Sequence, residues 1–546
     1  MINVKVLLDQ NKREVLKYTR FFEACATMKR HNIMVILAIS GVAGLGIADE
    51  VTVSSQGEEP RFSVSGRYFI HYGYTSLFPL TENGATLHDT TYPDGFKDGL
   101  EHVLDHRLRL KLVYRPLKSL SINFSGDVAG QIAGDTTNVG KDYVLAPRDK
   151  LSFYNRSILR ELFVQWRLPF GMLRVGQMQS MWGLGLLANS GDDPVPDFYD
   201  KRFGDLVERI MFVSKVGGRF YLAVAGDLVF RDENAVLWDK DIAGQGVLSF
   251  FHKGDVKGNE LFAGTYLVYR HQKFDNDDRL RAFVADIYAK STWAFGEPKS
   301  TLSLEGEALL VYGDLRFAQG GGPPRAKNGT DILQWASVGR VTSHIPKAKL
   351  KLSLDLGALS GDNDPTDGTA TAFRADPDYQ VGMILFQEVL GRMTALAPER
   401  ISDPSLVFKP PSGYKTFATS GSMTNAFFIY PVVHFLPIDG LDLALAFLWA
   451  RALAPVASPY NSAENGGYPL GFRVQKDAWG NKKWDGKNLG FEINGSVGYT
   501  LKLPKSLALS FAVQGGYFRA QDAFDDAYGK SLGNVYKIRG LFDFIW

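Results

Sequence analysis

Cysteine is almost absent: the 546-residue chain holds one, Cys25. That excludes a disulfide framework and a cysteine-based metal site. A long apolar run is missing too. The most concentrated stretch, from Ile33 through Val42 and Leu45, falls short of the roughly 20 apolar residues a membrane-spanning helix needs. A mean hydropathy of −0.11 is likewise too polar for a helical membrane protein. Charge of one sign is not in excess either, the formal net being +2. What the chain has in quantity is glycine, 56 residues, and aromatic side chains, 13%. Length alone is compatible with several soluble domains or with one large barrel, whose strands and loops add up without a larger packed core.

The N-terminus has the plan of a leader. Met28-Lys-Arg-His-Asn32 is basic, Ile33-Met-Val-Ile-Leu-Ala-Ile39 opens an apolar core, and Gly46-Ile-Ala48 places small residues at −3 and −1 of a cleavage site. Residues 28–48 therefore read as a secretory signal peptide. Residues 1–27 have no place in one and read as an upstream mis-start, with translation beginning at Met28. Removing 1–48 takes away seven Lys/Arg and three Asp/Glu and leaves 54 basic and 56 acidic residues. The sequence pI of 8.3 thus owes much to the leader, and nothing supports a nucleic-acid partner. Cysteine-free residues 49–546 suit an oxidising periplasm.

From Arg61 to the end, hydrophobicity alternates with period two, the spacing of a strand with one apolar face. Phe62, Val64, Gly66, Tyr68, Ile70 and Tyr72 oppose Ser63, Ser65 and Arg67, and Leu108, Leu110, Leu112 and Tyr114 oppose Arg107, Arg109 and Lys111. About 18 such segments run from 62–73 to 534–546. Short turns such as Pro116-Leu-Lys118, Pro169-Phe-Gly171, Val216-Gly-Gly218 and Pro504-Lys505 join every second pair. Between them lie mostly longer polar segments, among them 74–102, 131–156, 185–205, 361–421 and 454–487. Such alternation is expected of an up-and-down barrel crossing a membrane, with short turns on one side and long loops on the other. In hydrocarbon an open sheet edge is not viable, so the first and last strands must pair. The expectation is an all-β, transmembrane antiparallel barrel of about 18 strands over 61–546, preceded by a short periplasmic segment, 49–60.

The closing strand carries a further signal. Tyr536, Ile538, Gly540, Phe542, Phe544 and Trp546 share one face, and Lys537, Arg539, Leu541, Asp543 and Ile545 the other. Ending on an aromatic residue within such a strand, the chain resembles bacterial outer-membrane β-barrel proteins. That resemblance implies recognition of Tyr536, Ile538, Phe542, Phe544 and Trp546 by the barrel-assembly machinery. It also implies an outer-membrane location with both barrel termini periplasmic, and lipid and lipopolysaccharide as surroundings.

Basic residues gather on the inward faces of the first, second and last strands: Arg67, Arg107, Arg109, Lys111, Lys537 and Arg539, with Arg167 and Arg174 further round. Acidic residues predominate on the other arc: Glu305, Glu307, Asp355, Asp442 and Glu492. Opposed walls of this kind orient dipolar solutes; the bland alternative is that lumen charges pair with near neighbours. With its Arg-bearing strands and strand count, the chain resembles the alginate-export and anion-selective porins. The resemblance implies a channel passing small polar or anionic solutes, or an anionic polysaccharide, with Arg67, Arg107, Arg109 and Arg174 on the conduction path.

Two loops stand out, the Gly-rich Met181–Pro194 and the long 361–421, each either folded into the mouth as a constriction or exposed. Asp192-Asp193 and Asp362-Asn-Asp364 lack the spaced ligand set of a calcium loop and read as solvated turns. No metal and no cofactor is expected. None of the histidines 71, 88, 102, 106, 252, 271, 344 and 434 stands beside a nucleophile context, so an enzyme is not expected. The alternative to a channel is a non-conducting surface or adhesion barrel whose loops bind a partner. Homo-oligomers are compatible with either.

Overall fold

The computed structural model describes residues 61–76, 103–134, 157–191, 204–256, 259–318, 325–391, 421–458, 486–525 and 531–546, with short pieces of the connections between them. The upstream segment, the leader and residues 49–60 lie outside the described residues.

Eighteen long strands form the wall: β1 (Arg61–Thr75), β2 (Val103–Leu117), β3 (Leu120–Gly134), β4 (Ser157–Leu168), β5 (Gly171–Ser180), β6 (Asp205–Gly217), β7 (Phe220–Arg231), β8 (Ile242–Val256), β9 (Asn259–Lys273), β10 (Arg279–Phe295), β11 (Ser300–Arg316), β12 (Gly329–Ile345), β13 (Leu350–Leu359), β14 (Ala426–Phe435), β15 (Leu441–Arg451), β16 (Asn488–Leu503), β17 (Leu507–Ala520) and β18 (Asn534–Ile545). Each pairs antiparallel with its neighbours in the chain, and β1 also pairs with β18, which closes the sheet. At the seam Tyr68 lies opposite Phe544 and Ile70 opposite Phe542. Gly66 and Trp546 exchange both backbone hydrogen bonds, at 2.8 and 3.0 Å. A Cβ at Gly66 would overlap the Trp546 indole, so the missing side chain is what lets the last ring lie on the first strand. The strand count and the up-and-down order agree with the alternation in the sequence.

Facing follows the period-two pattern. Outward positions carry large apolar side chains that no protein covers, such as Tyr312 at 65% and Val513 at 62% exposed. Left in water, a band of this size would be a severe aggregation liability; hydrocarbon satisfies it. Among the described residues no helix is long and apolar enough to cross a membrane. The closed antiparallel wall and its apolar outer band define the class: a transmembrane β-barrel.

The interior differs from the expected polar lining. Met211, Val213, Val284, Leu309, Val338 and Phe428 also point inward, and they share one buried apolar cluster with Met383, Ile384, Leu385 and Phe386 of the long loop. A wall facing only water would not carry these residues. They are there because the loop packs on them, a partner that strand periodicity cannot reveal.

Candidate functional site

Two of the connections fold into the lumen. After β5 the chain turns inward at Trp182, which is fully buried, stacks on Tyr266 with ring centroids 5.1 Å apart, and donates its indole N–H to Asp286 at 3.1 Å. The next turn is fixed by Glu307, whose carboxylate accepts the Leu184 amide. In the long loop, the buried turn Leu385–Leu390 sits against the opposite wall. There Glu492 accepts three consecutive amides: Met383, Ile384 at 3.1 Å and Leu385 at 2.9 Å. Lys537 pairs with Glu388 of the same turn, both side chains almost wholly buried. The two loops also bind each other, through Asp376 N–H to the Leu186 carbonyl at 2.8 Å and Gly204 N–H to Asp378 at 2.6 Å.

Glycines make these anchorages possible. Gly183 (φ 58°) and Gly382 (φ 74°) adopt left-handed backbone just before the amides that bind, and a Cβ on either would run into Glu307 or Glu492 respectively. Of the two readings open for Met181–Pro194 and 361–421, the described parts of both follow the constriction. Residues 192–197, with Asp192-Asp193, and 395–417 lie outside the described residues. Asp362-Asn-Asp364 forms local turns, with Asp362 accepting the amides of Asp364 at 2.9 Å and Thr371 at 3.1 Å. Burial and the charges of Asp367 and Asp364 nonetheless push the Asp362 carboxyl above the usual range, against those amides.

On the first two strands Arg67 lies directly opposite Arg109, and Phe69 opposite Arg107. These four residues bound a small recess of about 30 Å³. Like charges directly opposite one another destabilise a sheet, and the wall supplies counter-ions. Arg67 pairs with Asp543 across the seam. Arg109 clamps Asp127 with two hydrogen bonds, 2.6 and 2.7 Å, while Arg160 lies 3.5 Å from the same carboxylate. Lys111, two residues nearer the short-turn end than Arg109, is exposed. Arg174 stands apart, hydrogen-bonded to Gln165 at 2.8 Å and lying over the Phe163 ring.

On the other arc Glu305 is held by Lys290 at 3.3 Å and by the Tyr288 hydroxyl at 2.9 Å, and Asp355 by Arg340 at 2.6 Å. The ten residues expected to line the lumen differ in burial. Glu307, Asp355, Lys537 and Arg539 are closed off from solvent, whereas Arg67, Arg107 and Lys111 keep partial or full exposure. The charges are therefore largely matched with near neighbours rather than left as two uncompensated walls. The low-dielectric setting explains it: a buried charge without a partner is expensive.

Beyond the constriction, on the long-loop side, lies a cavity of about 380 Å³ lined by Asp232, Glu233, Arg270, Asp362, Phe373 and Arg374 among others. Arg270 is fixed by Asp232 at 2.5 Å and by Gln272. Nearby, carboxylate oxygens of Asp205, Glu233 and Asp376 come within 4.8 Å of one another. All three have further polar or ionic partners, which fits a structural network as well as a cation. One stretch, Gly529-Lys-Ser-Leu-Gly533, does fit Gly-x-Ser-x-Gly. In the sequence it falls between β17 and β18, whereas a nucleophile elbow leads from a strand into a helix.

No family model matches the chain, and no curated protein sequence matches it. Solved structures with a similar overall course include OccAB1 of Acinetobacter baumannii (12% identity, 88% of this chain and 96% of that one, TM-score 0.48). Another is the outer membrane protein OprD of Pseudomonas aeruginosa (11%, 88% and 94%, TM-score 0.44). A third is OpdK of Pseudomonas aeruginosa with vanillate (12%, 88% and 98%, TM-score 0.45). At this identity and TM-score the likeness assigns no role to residues of this chain.

Proposed function

We propose that the chain is a bacterial outer-membrane channel, oriented with both barrel termini in the periplasm. It passes small polar or anionic solutes, or an anionic polysaccharide, by diffusion through a charged lumen narrowed by its own loops. One observation carries the reading: Arg67, Arg107 and Arg109 converge on a recess of the inner wall. Held in place by Asp543 and Asp127, the guanidinium groups of Arg67 and Arg109 still present cationic donors along a confined wall, where a low-dielectric enclosure focuses their field on a passing anion. The long-loop cavity of about 380 Å³ is a vestibule in which a solute waits above the constriction.

Reversal potentials in a salt gradient, measured on the chain inserted into a planar bilayer, test this. Anion preference is expected; cation preference overturns the anionic reading while leaving a channel. The buried packing of residues 373–391 favours a second reading, a non-conducting surface barrel whose outer loops bind a partner. Inserted protein that never conducts would select it.

A further inference from the structure

The two ends of the barrel differ sharply in charge. The eight short connections, which share their end with the first residue of β1 and with Trp546, hold seven Lys/Arg against two Asp/Glu. The nine connections at the other end hold 21 Lys/Arg against 33 Asp/Glu. The acids of the short-turn end are Glu297 and Asp439, and Asp439 is matched by Lys502 at 3.3 Å. Lys118, Arg219, Lys299 and Lys347 are all exposed.

These cations do not stand alone. Phe170, Val216, Phe220, Phe295 and Ile438 are exposed at the same end, and Phe220 stacks on Phe250 at 5.6 Å. Lys118 follows exposed Leu117, Lys215 precedes Val216, and Arg219 precedes Phe220. An apolar body beside a long cationic side chain suits the boundary between hydrocarbon and headgroups, where the ring sits in the interface and the cation snorkels outward. Each Lys or Arg held near an anionic membrane surface raises association about fivefold, within a Debye length.

We infer that the short-turn end of the barrel is a docking rim for anionic phospholipid headgroups of the leaflet it faces. The inference rests on the transmembrane reading and is independent of what the lumen passes. Zwitterionic headgroups offer the rim no net charge.

Nanodiscs of phosphatidylcholine mixed with phosphatidylglycerol, loaded with the full barrel and read by native mass spectrometry of retained lipid, provide the test. The wild-type chain is expected to retain phosphatidylglycerol several-fold over its share of the mixture. The chain carrying Lys118→Gln, Arg219→Gln, Lys299→Gln and Lys347→Gln loses that enrichment, as does the wild type at high salt. Lys240→Gln with Lys327→Gln, at the long-loop end, keeps it. Should the fourfold chain not insert, the pairs Lys118→Gln/Arg219→Gln and Lys299→Gln/Lys347→Gln serve, each losing part of the enrichment. Equal retention of both lipids by the wild type, or enrichment that survives the substitutions, overturns the inference. Displacement of the lipid by inorganic phosphate alone also overturns it, showing a general anion site. A wild-type chain that enters no bilayer sinks the transmembrane reading itself, a distinguishable outcome.

Discussion

Glu492 is the residue whose replacement says most about the lumen. Its carboxylate receives the amides of Met383, Ile384 and Leu385, and these three bonds fix the start of the buried turn that fills one side of the barrel. A hydrogen bond to a charged acceptor contributes about 1.5–3 kcal/mol net. In Glu492→Gln one oxygen still accepts two of the amides, but the new NH2 faces the third donor and the two remaining bonds lose their charge assistance, together a loss of about two charge-assisted bonds. Relief of the buried charge offsets part of this, leaving a net loss of about 3 kcal/mol. Since each 1.4 kcal/mol is a factor of ten, the population of barrels with the loop undocked should rise about a hundredfold. Single-channel recording reads this as more frequent openings to a larger level, with the barrel still folded by its heat-dependent gel mobility. Glu492→Asp, which keeps the charge on a shorter arm, should lie between the two. Unchanged openings in a folded Glu492→Gln barrel would refute the anchoring role.

Other perturbations separate the remaining parts. Lys537→Met strips Glu388 of its buried cation, at a cost of about 3–5 kcal/mol, and faster amide hydrogen exchange across residues 383–391 is the expected readout. Gly66→Val drives a side chain into the Trp546 ring and should destabilise the seam by about 1–3 kcal/mol, seen as a lower unfolding temperature and poorer assembly in outer-membrane fractions. Arg67→Gln with Arg109→Gln should move the reversal potential toward cations. The Asp362 carboxyl is held above its unfolded value by burial. The folded loop therefore keeps the proton longer, and its stabilisation is full below the ordinary carboxylate range and fades as pH rises through the raised value. Hydrogen exchange of residues 362–371 should quicken over that window, and Asp362→Asn should abolish the dependence.

Wall and interior differ in how far the sequence reveals them. Strand order, the eighteen crossings and the seam at Trp546 were legible because each strand meets lipid on one face, and that demand writes a period of two into every segment. The same parity puts Arg67, Arg109, Glu305 and Lys537 on the face opposite the exposed apolar band. What those charges touch was not legible. Asp543 and Asp127 answer Arg67 and Arg109 across strand pairs whose registers no local pattern specifies. The inward fold of 181–191 and 373–391 left only faint marks: Gly183 and Gly382, and apolar residues such as Val284 and Phe428 where water was expected. These marks make sense only once the loop is seen against the wall.

The proposed channel depends on a lumen that conducts and that the buried residues 373–391 narrow. Single-channel conductance of the wild-type chain beside a chain lacking residues 376–418 tests it most directly. Small resolved steps are expected for the wild type and markedly larger ones after the deletion. Two inserted, folded barrels that both fail to conduct, or that conduct alike, would contradict it.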